Sequence, residues 1–96
     1  MPKSPAKQIA SGSFTGTGAA VEVKLGFKPR RVEIFNNTDG DDLFINFEGM
    51  SAGDAIKIAA AVSKVTTNGI SLRNYGFTAG SDCSESGKSM LWLAYE

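Results

Sequence analysis

Residues 20–25 read Ala-Val-Glu-Val-Lys-Leu, and residues 30–36 read Arg-Arg-Val-Glu-Ile-Phe-Asn. In the first stretch Val21, Val23 and Leu25 alternate with Glu22 and Lys24. That period of two marks a β-strand with one buried and one wet face, because successive side chains leave a strand on opposite sides. The second stretch repeats the pattern, with Val32 and Ile34 on one side and Arg31, Glu33 and Phe35 on the other. The segment from Gly26 to Pro29 turns the chain between them, so a hairpin is the expected pairing. Val21, Val23, Val32 and Ile34 are its expected core contribution.

Outward from this pair the punctuation is regular. Gln8–Phe14 is a first strand, weakened by Gly12, and residues 15–18 (Thr-Gly-Thr-Gly) make a turn. Asn37-Thr38-Asp39-Gly40 is a second turn, since Asn, Asp and Gly tolerate the backbone angles of a tight reversal. Leu43–Phe47 follows as a strand and residues 48–53 as a loop. Residues 54–62 suit a short alanine-rich helix capped by Asp54 or a strand alternating about Lys57. A strand is preferred, because a lone helix this short gains little from propensity. Ser63–Thr67, Ile70–Arg73 and Phe77–Ala79 are further β segments, and Gly80–Lys88 is a polar loop. The last strand, Ser89–Tyr95, is apolar on both sides: Leu91, Leu93 and Tyr95 on one, Met90, Trp92 and Ala94 on the other. Such a strand lies centrally in a sheet or is covered by a partner.

The sum is seven to nine short strands in 96 residues. The expected fold is all-β: one small antiparallel β-sandwich or barrel over residues 8–96, preceded by an extended arm at residues 1–7. The arm holds two prolines and two lysines and no large aliphatic or aromatic anchor. It is expected to be dispensable for folding and to matter for assembly.

Composition narrows the function. Ten basic and ten acidic residues give a net charge of zero, without the basic excess typical of nucleic-acid binding. No apolar run reaches the ~18–20 residues that cross a bilayer, and the N-terminus has no signal-peptide pattern. No nucleic-acid or membrane partner is expected, and the single cysteine, Cys83, favours folding in the cytoplasm. Cys83 reads as a partly buried small side chain.

The chain has no histidine. That removes the commonest general base and the usual partner of a catalytic Ser or Cys. One cysteine cannot build a thiolate metal cage. Asp39, Asp41 and Asp42 cluster, yet no glutamate closes a calcium loop at the required position. Gly12, Gly16 and Gly18 precede a strand, where a dinucleotide site needs a helix N-terminus. Glu22 and Glu33 sit beside lysine and arginine as surface charge partners. No enzyme activity, metal or cofactor is expected. The candidate partner contacts are the basic cluster Lys28, Arg30 and Arg31, and Trp92 in the doubly apolar last strand.

The run Gly-Phe-Lys-Pro-Arg-Arg-Val at 26–32, leading into Ile-Phe-Asn-Asn-Thr-Asp-Gly at 34–40, resembles small virion proteins of tailed bacteriophages. So do Gly49-Met50, residues 69–72 (Gly-Ile-Ser-Leu), residues 76–82 (Gly-Phe-Thr-Ala-Gly-Ser-Asp) and residues 91–95 (Leu-Trp-Leu-Ala-Tyr). The likeness covers roughly residues 14–95. It implies a jelly-roll-like decoration or cement protein on the capsid, binding and stabilising the shell of major capsid protein as a dimer or trimer. The loop at 80–88 is shorter than in longer members, and an appended binding domain is lacking, which favours reinforcement over host attachment. A tail, connector or fibre-associated part of the virion is the alternative within the same setting. A carbohydrate- or receptor-binding module is the alternative outside it, with Trp92 and Tyr75 as its aromatic candidates.

Overall fold

Nine strands form in the computed structural model, which describes residues 8–96. They are β1 (Ile9–Thr15), β2 (Val21–Lys24), β3 (Arg31–Asn36), β4 (Leu43–Phe47), β5 (Ala55–Ile58), β6 (Val62–Val65), β7 (Ile70–Leu72), β8 (Gly76–Ala79) and β9 (Ser89–Tyr95). The larger sheet has the order β1-β9-β3-β4-β5-β6, and the smaller has the order β2-β8-β7. Every pairing is antiparallel. The fold is the expected all-β sandwich. The expectation for the arm at residues 1–7 lies outside the described residues.

The core lies between the sheets. Val32 and Ile34 of β3, Phe44 of β4, Ala55 of β5, and Met90 and Ala94 of β9 face inward from the larger sheet. Ile70, Phe77 and Ala79 meet them from the smaller. Each large buried side chain contributes about 1.5–3 kcal/mol by leaving water. The Phe77 ring packs edge-on against Trp92, with centroids 5.4 Å apart and planes at 69°, an arrangement that favours the ring quadrupoles.

Both alternating strands keep their predicted faces, but they do not form a hairpin. β2 pairs with β8, placing Val23 opposite Phe77, while β3 pairs with β4 and β9. The chain changes sheets between them. Leu25 N–H and Gly26 N–H both donate to the Tyr75 carbonyl and extend the β2·β8 ladder, whereas Arg30 N–H donates to the Tyr95 carbonyl beside β9. Gly26 turns the chain with φ +84°, a conformation that costs glycine little, and Phe27 and Pro29 bury themselves as the connection crosses the core. Strands on opposite sheets satisfy the same alternation as a hairpin, because each needs only one apolar face.

Two further segments differ from expectation. Residues 54–62 are not one strand: β5 stops at Ile58, three alanines make the reversal, and Val62 opens β6. The alanines have little side chain to bury, so they turn where Ile56 and Ile58 pair. The 80–88 loop is also less peripheral than its polarity suggested. It carries a 3-10 turn at Ser81–Cys83, and both Cys83 and Ser84 are fully buried. Thr17 N–H donates to the Ser84 hydroxyl at 3.0 Å and Gly18 N–H to the Ser84 carbonyl at 2.7 Å, tying this loop to the turn after β1. Burial pushes the Cys83 thiol well above its ordinary value, leaving it an unreactive core group.

Candidate functional site: the outer face of the larger sheet

Register places side chains from neighbouring strands in rows, because directly paired residues share a face. On the outer face of the larger sheet one row runs Leu91, Phe35, Leu43, Ile58, Val62, from β9 across β3, β4 and β5 to β6. The adjacent row holds Leu93, Glu33, Ile45 and Ile56. A third holds Ile9, Tyr95, Arg31 and Phe47. No element among the described residues lies over these rows. Leu91 is 41% exposed, Phe47 43% and Val62 71%. Between Phe35, Leu43, Leu91 and Leu93 the surface dips into a depression of about 140 Å³ bordered by Glu33 and Trp92.

The few charges on this face are already compensated. Arg31 Nε donates to Glu33 Oε2 at 2.8 Å, and its guanidinium sits 5.8 Å from the centre of the Tyr95 ring. Lys64 pairs with Asp54 at 3.4 Å. Asp54 is nearly buried, whereas the Arg31–Glu33 pair lies at the surface, where such pairs contribute only ~0–1 kcal/mol to stability. Their larger consequence is that the face presents apolar area with little net field. Soluble monomers rarely expose a contiguous apolar surface of this breadth, and where they do it serves binding.

The predicted contact residues fall in different places. Arg31 lies on this face, locked to Glu33. Lys28 borders a separate depression of about 200 Å³ with Glu48, Met50 and Leu72. Arg30 is exposed at the entry to β3, where its backbone continues the ladders to β9 and β4. Of the three, Arg31 belongs to the outer face of the larger sheet, while Lys28 and the Arg30 backbone both adjoin Glu48. Trp92 is half-buried, with its ring turned inward to Phe77; the outward side of β9 is Leu91, Leu93 and Tyr95. Leu43, Ile45, Phe47, Ile56 and Ile58 were not singled out from sequence. Their signal was present in the Leu-Phe-Ile-Asn-Phe run of β4, which like β9 is apolar on nearly every position.

A polar cluster ties the β3–β4 turn to the loop before β9. Asn36 Nδ2 donates to Asp39 Oδ2 at 3.0 Å and Glu85 Oε2 at 3.1 Å, and Lys88 Nζ reaches Asp39 Oδ1 at 3.1 Å. The Lys88 hydrogen bond holds the Asp39 carboxyl below its ordinary value; desolvation opposes this, and Asn36 reinforces it. The same Asp39 contact holds Lys88 above its own ordinary value. A depressed carboxyl stabilises the fold above its unfolded pKa of about 3.9 and loses that contribution as pH falls through the folded value. A raised lysine stabilises below about 10.4 and loses its contribution as pH rises through the folded value. Urea unfolding should therefore show that Asp39→Asn reduces the drop in stability between about pH 7 and pH 3 relative to the parent. An identical acid drop in both proteins would remove Asp39 from the acid response.

Among the described residues no three His, Cys, Asp or Glu side chains come together as a metal site, and no helix is long and apolar enough to cross a membrane. Compared with protein-family models, with curated proteins and with solved structures, the chain matches none.

Proposed function

We propose that this protein is an assembly component of a tailed-phage virion that decorates the capsid, docking on the major capsid protein through the outer face of its larger sheet. The observation that carries the assembly role is the apolar surface built from β9, β3, β4 and β5 with its charges paired off. The capsid setting comes from the resemblance of residues 14–95 to small virion proteins. Reinforcement of a shell needs no reacting group: apolar burial at each copy, repeated over many sites, supplies the energy. A carbohydrate module would present an aromatic platform, but the Trp92 ring faces Phe77, and the exposed Phe47 and Tyr75 stand on separate elements, the end of β4 and the β7–β8 loop.

The test is the variant Leu91→Lys/Phe47→Lys. Both side chains are over 40% exposed, so the fold should remain. Each lost apolar contact should weaken binding to undecorated capsids by about tenfold or more, from ~1.5–3 kcal/mol per buried side chain. Binding equal to the parent, measured by co-sedimentation with particles, would sink the docking face. A copy number in purified virions far below that of the capsid subunits would instead favour a tail or connector position.

A further inference from the structure

The two ends of the larger sheet are built differently. At one end β6 is four residues long and carries Lys64, the kind of charge that discourages strand addition. The edges of the smaller sheet are guarded as well: β2 is four residues with Glu22 and Lys24, and β7 is only three residues long. The other end of the larger sheet is β1, seven residues reading Ile-Ala-Ser-Gly-Ser-Phe-Thr. It has no charge and no proline, and among the described residues nothing pairs with its far side.

The hydrogen-bond phase of β1 shows which groups are open. Glu96 N–H donates to the Gln8 carbonyl at 2.9 Å and Gly16 N–H to the Lys88 carbonyl at 2.8 Å, bracketing the ladder with β9. Even-numbered positions therefore bond inward, and alternation turns the N–H and C=O groups of Ile9, Ser11, Ser13 and Thr15 to the open side.

We propose that β1 pairs antiparallel with β1 of a second copy about a two-fold axis at Gly12, joining two larger sheets into one. This register pairs the whole strand with itself. Ile9 faces Thr15 and Ser11 faces Ser13 through the open backbone groups, while Ala10 faces Phe14 on the core side. The small-against-large match of Ala10 and Phe14 is self-complementary, as a two-fold interface requires. No like charges meet, since β1 has none. Gly12 suits the axis because its own Trp92 ring already occupies the space a side chain would need: a Cβ there would lie 2.7 Å from the ring. The dimer leaves the apolar outer face of each copy free and extends it across the axis, so this inference stands apart from what that face binds.

Mass in solution tests the pairing independently of any capsid. Across a concentration series, sedimentation should give a two-chain species for the parent. Ser13→Pro removes an N–H from the open side but none from the β9 ladder, a place where an edge strand tolerates proline. It should weaken self-association by at least about tenfold while leaving the circular dichroism and the Trp92 emission as in the parent. Should that variant misfold, Ser11→Lys/Ser13→Lys places like charges opposite one another across the axis and is expected to give a single-chain mass. The register is read by oxidation. An equimolar mixture of Ser11→Cys and Ser13→Cys chains should form a disulfide-linked dimer, because those positions face each other. Ser11→Cys alone should not, since its two copies lie diagonally beyond disulfide reach. The buried Cys83 does not compete. A single-chain parent at every concentration, folded edge variants that keep the two-chain mass, or crosslinking of Ser11→Cys alone would overturn the proposal.

Discussion

Phe77→Ala should lower stability by about 3–5 kcal/mol, the usual cost of removing a fully buried phenylalanine. Phe77 has no exposed surface and stands at the centre of the three-stranded sheet, opposite Val23 and Leu72. Its ring is also the contact by which that sheet grips Trp92 on the larger one. Small domains have a total of only about 5–15 kcal/mol, so the variant should be close to unfolded at room temperature. Urea titration followed by Trp92 emission would read both the midpoint and the loss of the aromatic contact. A midpoint within error of the parent would mean that the two sheets are not held together through this ring.

Asn46→Leu is expected to destabilise as well, although it makes the core more apolar. Asn46 is 1% exposed, and its Nδ2 donates to the Asp54 carbonyl at 2.8 Å and the Ile70 carbonyl at 3.0 Å. These bonds stitch β4 to the loop before β5 and to β7 in the opposite sheet. Leucine has about the same size but offers no donor. Both carbonyls keep a backbone donor, Ile70 N–H on Asp54 and Gly53 N–H on Ile70, so the cost is that of two lost hydrogen bonds, about 1–3 kcal/mol, offset in part because the buried Asn46 Oδ1 has no partner of its own. Asn46→Asp should be worse at neutral pH, because its carboxylate would face two carbonyl oxygens, and should recover partly in mild acid as the group takes up a proton. An Asn46→Leu protein as stable as the parent would show that the backbone donors alone satisfy those carbonyls.

The faces of individual strands were legible in the sequence because side-chain alternation is local. Val32 and Ile34 point inward, Arg31, Glu33 and Phe35 outward, and β9 divides into Met90, Trp92 and Ala94 against Leu91, Leu93 and Tyr95, as the period of two requires. The turns at residues 15–18 and 37–40 were legible for the same reason: clusters of glycine, asparagine, aspartate and threonine favour local reversals. The doubly apolar β9 called for either a central place in a sheet or a covering partner, and it lies between β1 and β3.

Pairing was not local, and tertiary structure alone decided it. The alternation of β2 and β3 fits a hairpin and a pair of facing sheets equally well. The outcome turned on competition for the edges of β3, which β4 and β9 occupy over five and six residue pairs. With β3 filled on both sides, β2 found its partner in β8, more than fifty residues further along the chain. The outer apolar face is likewise a property of register. Leu91, Phe35, Leu43 and Ile58 are scattered along the chain and become one row only when four strands align. Lys28 and Arg31 show the reverse: near neighbours in sequence, they take different settings, Lys28 in the depression beside Glu48 and Arg31 in the outer row with Tyr95 and Phe47.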